Sequence, residues 1–465
     1  MEYKLPPIEI PQDDPFRFDA LNRRASVEFI ASLFDALKGP FVLAIDSPWG
    51  TGKTTFVRML KTFLESKGFV CLYFNAWETD FTTDPLVAFL GELDQLRKHY
   101  EQKDNDFKTY FNKTKKIATL LAKKALPVAG KIATAGLFDL DAFIKEALAD
   151  LVADVVDDAV DAYTAEKNLL EQFHKSLTST IERLNTEGKK PQLIVFVDEV
   201  DRCRPTFAVE LLERIKHLFN VPNAIFVISL DKQQLAVSLS AVYGSGINSE
   251  EYLRRFIDPE YALPRVNTKA FTKNLFLRFG FEEFFSARTH REFLYDSKHL
   301  EETFNALSDL LGLSLHAREQ CFTRIRVAMM TTPKDHYFHP LLLTTLVVLK
   351  VGAPEAYKRY VLEEGTSGEV TEYLRSLKGG GEFINSRLGS IIEAHLMVAK
   401  TRGRYEESAE MKRYNEIIKN PSASPEDKAR SELIVQIVTD MSFHDKTPSL
   451  AYVVNKIDLA TQFEP

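Results

Sequence analysis

The residues of this chain best suited to chemistry lie at positions 46–55, which read Asp-Ser-Pro-Trp-Gly-Thr-Gly-Lys-Thr-Thr. Gly50 and Gly52 permit backbone angles that other residues rarely adopt, so the loop amides can turn inward around a phosphate. Lys53 is spaced to reach the outer phosphates of a nucleoside triphosphate, and the Thr54 hydroxyl is spaced to ligate Mg²⁺. The segment therefore predicts a phosphate-binding loop (P-loop) with these nucleotide-binding residues: Ser47, Pro48, Trp49, Gly50, Thr51, Gly52, Lys53, Thr54 and Thr55.

The usual loop pattern is G-x-x-x-x-G-K-[ST], and this chain has Ser47 at the first glycine position. The flanking segments nevertheless match the required setting. Residues 41–45 form a continuous apolar run, which predicts a buried parallel strand. Residues 53–67 place apolar side chains on one face, which predicts the helix whose positive N-terminal dipole lies under the phosphates.

Acidic residues follow a second apolar run, at positions 193–203 (Leu-Ile-Val-Phe-Val-Asp-Glu-Val-Asp-Arg-Cys). Asp198 comes directly after the apolar residues, at the strand edge where ligands bind in open α/β sheets. We expect Asp198 to hold the metal and the adjacent Glu199 to be the base that polarises water. Asp201 is a rival for either role. The alternative is that these acids only cap the next helix.

Other polar residues each have two alternative roles. Ser229, at the end of a later apolar run, is a candidate sensor of the γ-phosphate, and the alternative is a turn-capping serine. Arg202, Arg254 and Arg255 are candidates to stabilise transition-state charge, and ordinary salt bridges are the alternative.

Apolar runs that alternate with helical segments predict the fold class. They lie at 41–45, 69–74, 192–197 and 224–230. This alternation predicts an α/β fold with a doubly wound parallel sheet. Residues after Pro264 show amphipathic helical patterns instead, and the apolar run 341–349 predicts a core helix. We therefore predict an N-terminal extension (1–17), an NTPase domain (18–265) with a helical insertion at about 95–186, and an α-helical C-terminal domain (266–465).

The first predicted helix opens with a capping Asp19. Its apolar residues at four-residue spacing predict one buried face, formed by Ala25, Phe29, Leu33 and Leu37.

Composition excludes several other classes of protein. The chain has 465 residues, a formal charge of −7 and three scattered cysteines, which excludes a disulfide scaffold and Cys-rich zinc modules. We find neither a secretory signal at the N-terminus nor an apolar stretch of membrane-spanning length. The sequence therefore predicts a cytoplasmic protein without a membrane partner.

Several motifs together resemble the KAP family of P-loop NTPases. The family typically has Trp-Gly-x-Gly-Lys-[Ser/Thr] in its phosphate loop, Phe-Asn-x-Trp after its second strand and Asp-Asp-x-Asp-Arg-Cys as its acidic motif. The matching segments are 49–54 (WGTGKT), 74–77 (FNAW), 198–203 (DEVDRC, with Glu199 replacing the second Asp), 229–231 (SLD), 252–257 with 263–264 (YLRRFI and LP) and 22–26 (NRRAS).

The resemblance covers roughly residues 18–265. It implies an additional strand between the P-loop strand and the acidic strand, and hydrolysis of Mg-bound ATP that depends on a glutamate or aspartate. Many family members carry membrane helices between the two motifs. Here residues 100–185 are too charged to span a bilayer, so the chain resembles a soluble variant. Several family members resemble components of anti-phage systems, which suggests a defence or signalling role.

The leading hypothesis is slow ATP hydrolysis that switches an assembly, with a homo-oligomer or an effector protein as partner. One alternative is a nucleotide-gated oligomeric scaffold with negligible turnover. A second alternative is an ATPase stimulated by nucleic acid bound to a lysine-rich helix face, for which the candidate residues are Lys113, Lys115, Lys116, Lys123, Lys124 and Lys131. In the same insertion, residues 150–161 predict a helix with an acidic outer face.

Overall fold

The computed structural model describes residues 8–82, 84–100, 105–124, 159–184, 190–288, 295–333, 337–362, 365–401, 408–443 and 449–458. The described residues group into two compact units, one comprising Ile8–Pro264 and the other continuing from Arg265. The functional domain boundaries drawn from the sequence, at 17/18 and 265/266, stay predictions.

The first unit contains a sheet of five parallel strands in the order β2-β3-β4-β1-β5. The strands are β1 (Phe41–Asp46), β2 (Val70–Asn75), β3 (Leu193–Asp198), β4 (Ala224–Leu230) and β5 (Glu260–Ala262). β4 lies between the P-loop strand β1 and the acidic strand β3, which confirms the additional strand that the family resemblance implied.

Helices cover both faces of this sheet, as a doubly wound fold requires. Their bounds are α1 (Arg24–Ala36), α2 (Lys53–Ser66), α3 (Ala76–Thr79), α4 (Pro85–Tyr100), α5 (Asn105–Lys124), α6 (Ala159–Leu184), α7 (Pro205–Leu218), α8 (Lys232–Tyr243) and α9 (Ser249–Leu253). Successive side chains of β1 point to opposite faces of the sheet and pack in two different cores. Leu43 and Ile45 pack with α1 and α2, whereas Val42 and Ala44 join the core under α4 and α7. The predicted fold class is confirmed.

Two local predictions were wrong. Helix α1 begins at Arg24 and not at Asp19, because Asn22 adopts a left-handed φ of 54° that a continuous α-helix does not allow. The buried face is also rotated from the predicted one: Phe34 is buried and Phe29 is 61% exposed. The short edge strand β5 was missed, since three residues with partly exposed side chains carry too little apolar pattern.

The helical insertion is described in part. Helices α5 and α6 pack together around buried hydroxyls, where Thr114 Oγ1 lies 2.8 Å from Ser176 Oγ and 3.1 Å from Thr180 Oγ1. Lys115 of the lysine-rich face is ion-paired with Asp94 at 3.2 Å. Lys131 and residues 150–158 of the acidic segment lie outside the described residues, so the nucleic-acid alternative stays a prediction.

Within its described residues, the second unit is built of helices. They are α10 (Thr268–Arg278), α11 (Phe281–Ser286), α12 (Asp296–Leu310), α13 (Leu315–Met330), α14 (Pro340–Gly352), α15 (Pro354–Leu362), α16 (Ser367–Ser376), α17 (Gly380–Asn385), α18 (Arg387–Thr401), α19 (Ala409–Lys419), α20 (Pro425–Phe443) and α21 (Leu450–Asp458). Every residue of the run 341–349 is buried in α14, which confirms the predicted core helix. Across the described parts of both units, none of the helices has the length and apolar character needed to cross a bilayer.

The buried face of α1 can be tested by substituting its two phenylalanines. Phe34→Ala should lower the free energy of unfolding by about 3–5 kcal/mol, because it leaves a cavity in a packed core. Phe29→Ala should lower it by less than about 1.5 kcal/mol, because that ring keeps most of its surface in water and only stacks on Tyr261. Urea unfolding followed by tryptophan fluorescence reports on this unit, since both tryptophans, Trp49 and Trp77, belong to it. Equal losses, or a larger loss for Phe29→Ala, would contradict this orientation of α1.

Candidate functional site at the carboxyl edge of the sheet

The P-loop joins the end of β1 to the start of α2. Gly50 and Gly52 adopt φ values of 73° and 87°, in the left-handed region that favours glycine, and Gly52 is the residue that precedes α2. The Thr51 hydroxyl donates to the Pro48 carbonyl oxygen at 2.8 Å, which closes the turn within the loop. The loop therefore leads its backbone directly into a helix N-terminus, the arrangement that binds phosphate. The predicted nucleotide-binding residues 47–55 all lie in this loop and the first turn of α2.

Lys53 lies against the loop and faces the acidic motif. Its Nζ donates to the Ser47 carbonyl oxygen at 2.5 Å and to the Pro48 carbonyl oxygen at 3.3 Å. The same Nζ lies 3.9 Å from Asp201 Oδ2. Burial lowers the pKa of Lys53, and the negative charges of Asp201, Asp231 and other acids oppose that shift. The lysine is thus a partly desolvated cation within a ring of carboxylates.

A backbone reversal separates the acids of the motif. β3 ends at Asp198, Glu199 adopts a left-handed φ of 62°, and a 3₁₀ turn (Val200–Arg202) follows. This conformation is unusual for a residue other than glycine and costs roughly 1–2 kcal/mol. Its consequence is that Asp198, Glu199 and Asp201 have different hydrogen-bond partners.

Asp198 is buried and held by two donors. Tyr73 on β2 donates its hydroxyl to Asp198 Oδ2 at 2.8 Å, and the Glu199 amide donates to Oδ1 at 3.0 Å. Burial, followed by the charge of Asp198, raises the pKa of Tyr73, so the phenol stays a proton donor. The Arg58 guanidinium lies 5.6 Å from the centre of the Tyr73 ring. These contacts fix the carboxylate at the strand end.

Glu199 is oriented by two side chains. Asn75 Nδ2 donates to Glu199 Oε2 at 3.3 Å, and Arg202 Nη1 lies 2.7 Å from Oε1. The Asn75 side-chain oxygen meanwhile accepts from the amides of Trp77 and Glu78 and so caps α3. Burial raises the pKa of Glu199, while Arg202 and Asn75 lower it. Each carboxylate oxygen of Glu199 therefore has its own partner, Asn75 for Oε2 and Arg202 for Oε1.

Asp201 connects the acidic motif to the P-loop. Its Oδ2 accepts the Trp49 indole N–H at 2.5 Å and the Asp231 backbone N–H at 2.9 Å, in addition to facing Lys53. Burial raises the pKa of Asp201, and the Lys53 ammonium and the Trp49 hydrogen bond lower it. Asp201 lies in the segment after β3 and thus contacts both the loop after β1 and the residue after β4.

The remaining candidates fall into two groups. Ser229 is fully buried on β4, beside Ile45 of β1, and no described residue bonds its hydroxyl. Arg254 pairs with Glu251 at 2.9 Å, and Arg255 lies 5.5 Å from the Tyr252 ring centre. Both arginines thus have contacts within their own segment, and their role in the reaction, like that of Ser229, stays a prediction.

Sequence reasoning did not assign roles to Tyr73, Asn75 or Asp231. Asn75 and Asp231 belong to the family-like segments 74–77 and 229–231, but their partners lie 124 and 30 residues away along the chain. Trp77 is 52% exposed, with the Arg202 guanidinium 5.7 Å from its ring centre.

A family model for the KAP family P-loop domain matches residues 25–320. The chain belongs to the KAP family. That match includes the phosphate loop and the acidic motif, so the protein contains a nucleotide-binding P-loop NTPase domain, and the predicted family is confirmed.

Comparison with curated proteins gives no match for this KAP protein. Among solved structures, one of the Aeropyrum pernix ORC2 protein in ADPNP and ADP complexes aligns with 95% of this chain and 97% of its own, at 14% identity and a TM-score of 0.33. A likeness at that score carries no argument about this site.

The indole hydrogen bond to Asp201 can be tested by a matched pair of variants. Trp49→Phe keeps an aromatic ring and removes the N–H donor, so we expect nucleotide affinity to fall by roughly tenfold, the usual effect of one hydrogen bond to a charged group. Trp77→Phe should leave affinity within about twofold, since the cation that lies over that ring is Arg202, which is outside the P-loop. Titration calorimetry measures both, and equal affinities of the two variants would contradict the assigned role of Trp49.

Proposed function

We propose that the protein binds Mg-ATP and hydrolyses it slowly, and that turnover switches an assembly. The observation that carries this proposal is the 3.9 Å approach of Lys53 Nζ to Asp201 Oδ2, because it brings the P-loop and the acidic motif into one site. Phosphate-binding groups and carboxylates adjoin at the carboxyl edge of a parallel sheet, where α/β proteins bind ligands.

Binding of the phosphates is assigned to the P-loop. The backbone amides of residues 49–54 and the N-terminus of α2 supply hydrogen-bond donors and a positive dipole. Lys53 supplies a full positive charge, and the phosphate oxygens would compete with the loop carbonyls that now accept its protons. Ser229, with its unbonded hydroxyl beside β1, is the further proposed phosphate contact.

The donor set also fits magnesium. The Thr54 hydroxyl and the buried Asp198 carboxylate are hard oxygen ligands of the kind that Mg²⁺ takes beside substrate phosphates. When bound, the ion neutralises charge that develops on the phosphate oxygens. Tyr73 keeps Asp198 oriented for this task by donating to Oδ2.

Glu199 is the proposed general base. A water molecule would give a proton to the Glu199 carboxylate while its oxygen forms a bond to the γ-phosphorus and the bond to the ADP oxygen breaks. Asn75 and Arg202 orient that carboxylate, and burial raises the pKa of Glu199, which makes its carboxylate a stronger proton acceptor. Asp201 has its Oδ2 committed to Trp49 and Asp231, which favours a positioning role for it.

The Arg202 contact favours regulation of the turnover step. While its guanidinium lies 2.7 Å from Glu199 Oε1, it competes with water for the base. Arg202 is partly exposed and stacks on the exposed Trp77, so a partner protein could reach both side chains. This contact also supports the second candidate, a nucleotide-gated scaffold with negligible turnover. Size measurement with a non-hydrolysable analogue, beside a phosphate-release assay, separates the two.

The assignment of binding and base residues predicts opposite phenotypes. Lys53→Ala should abolish nucleotide binding, because the loop loses its charged phosphate contact. Glu199→Gln should keep binding and lower kcat by roughly 10²–10⁴-fold, so bound ATP accumulates. Nucleotide retention on the purified protein and phosphate release measure these effects. Normal hydrolysis by both variants would contradict the assignment of Lys53 to phosphate binding and of Glu199 to proton transfer.

The role of Asn75 has its own test. Asn75→Asp keeps the oxygen that caps α3, removes the amide donor to Glu199 and adds a like charge, so kcat should fall by roughly tenfold or more with KM little changed. Asn248→Asp is the matched control, since Asn248 caps α9 with its side-chain oxygen. Steady-state kinetics distinguishes the roles: an unchanged kcat for Asn75→Asp would exclude Asn75 from positioning the base.

A further inference from the structure

Arg202 holds one oxygen of the proposed base. Its Nη1 lies 2.7 Å from Glu199 Oε1, while the Asn75 amide donates to the other oxygen, Oε2. Burial raises the pKa of Glu199, and the Arg202 charge is the main effect that lowers it. A carboxylate paired with a guanidinium accepts a proton less readily than a free one. The Arg202 contact therefore restrains the base, whereas Asn75 can keep it oriented alone.

The same guanidinium has a second contact, at the protein surface. It lies 5.7 Å from the ring centre of Trp77. The Arg202 side chain is 42% exposed and the Glu199 side chain is 15% exposed. Arg202 thus lies between a shielded carboxylate and an exposed aromatic ring, so it can leave Glu199 and keep a favourable contact with Trp77.

A second exposed ring extends this surface. Trp77 is half-exposed, and Phe81, four residues further along the chain, is 75% exposed. Arg204 fixes the segment that carries Phe81, since its Nε and its backbone amide donate to the two carboxylate oxygens of Asp80, each at 2.8 Å. Tryptophan and arginine side chains are the commonest anchors of protein interfaces. Trp77, Phe81 and Arg202 together therefore have the composition of a docking surface.

This surface is also connected to the base through Asn75. Asn75 Oδ1 accepts the Trp77 amide at 3.1 Å and the Glu78 amide at 3.3 Å, and its Nδ2 donates to Glu199 Oε2. A group that docks on Trp77 consequently reaches both side chains that contact the Glu199 carboxylate, Arg202 directly and Asn75 through α3.

The charges of the surface indicate the class of partner. Arg204 is paired with Asp80, and Glu78 is exposed next to Trp77, so Arg202 is the cation that an incoming anion meets. A nucleic-acid backbone is bound by several cations that neutralise several phosphates. One cation among aromatic rings, with an acid nearby, instead suits a protein segment that presents a carboxylate between apolar side chains.

We propose that Trp77, Phe81 and Arg202 dock an acidic segment of a partner protein, whose carboxylate takes Arg202 from Glu199 and so accelerates hydrolysis. The exchange replaces one ion pair by another, so the guanidinium keeps a charged partner. Glu199 Oε1 is then free to accept the proton of the attacking water. This inference rests on the proposed function, in which Glu199 is the base.

The first test uses the protein alone. Arg202→Gln removes the charge that restrains Glu199, so its kcat should rise roughly threefold or more in a phosphate-release assay, with the KM for ATP little changed. Arg204→Gln is the matched control, because Arg204 pairs with an acid that is not the base. Its kcat should stay within about twofold of wild type. A lower or an unchanged kcat for Arg202→Gln would overturn the inference.

The second test adds poly(Glu,Tyr), a random copolymer of glutamate and tyrosine, at saturating ATP and excess Mg²⁺. The copolymer should raise the kcat of the wild-type protein to about that of Arg202→Gln, and should leave the kcat of Arg202→Gln unchanged. Trp77→Ala should need roughly tenfold more copolymer for the same activation, because it lacks the docking ring. Single-stranded poly(dT) should not activate the wild-type protein.

Three results of the second test would overturn the inference: no activation of the wild-type protein by the copolymer, equal activation of Trp77→Ala, or activation by poly(dT) instead. If Glu199→Gln abolishes hydrolysis but the Arg202 and Trp77 variants behave as wild type, the inference fails and the proposed function stands. A wild-type protein that does not hydrolyse ATP would contradict the proposed function and this inference with it.

Discussion

The Asp201 carboxylate is the constraint on which the site depends. It is buried, and its Oδ2 is shared by the Trp49 indole of the P-loop and the Asp231 amide after β4, with the Lys53 ammonium 3.9 Å away. A buried charge is tolerated when it is paired and hydrogen-bonded, so these contacts stabilise one another. The result is that three segments, each following a different parallel strand, are held at a common edge.

The left-handed conformation of Glu199 is what allows neighbouring acids to have separate partners. A regular extended strand would alternate consecutive side chains between its two faces. With φ of 62° at Glu199, the chain turns instead into a 3₁₀ segment. Asp198 stays with Tyr73, Glu199 turns to Asn75 and Arg202, and Asp201 turns to the P-loop. Local strain at such a position is typical of functional sites, where the surrounding contacts hold the backbone in an unfavourable conformation.

Sequence patterns predicted what depends on neighbouring residues along the chain. The sheet strands β1 to β4, the P-loop and the acidic motif each occupy one short segment, and their types follow from apolar runs and glycine positions. The partners within the site could not be predicted, because Tyr73 and Asp198 are 125 residues apart. The sequence left two roles open for Asp201, because its partners Trp49 and Asp231 are also distant along the chain. The orientation of α1 was misjudged because a four-residue spacing fits several faces of one helix, and only the packing against α2 selects among them.

The central claim is that Asp201 positions the P-loop while Glu199 performs the chemistry. Calorimetric titration of ATP into the Asp201→Asn and Glu199→Gln proteins, with phosphate release measured on the same samples, tests it most directly. The account predicts that Asp201→Asn weakens ATP binding by roughly tenfold, because Lys53 and Trp49 lose their charged partner. It predicts that Glu199→Gln binds ATP with wild-type affinity and releases almost no phosphate. Wild-type affinity with lost turnover in Asp201→Asn, together with normal turnover in Glu199→Gln, would contradict the account.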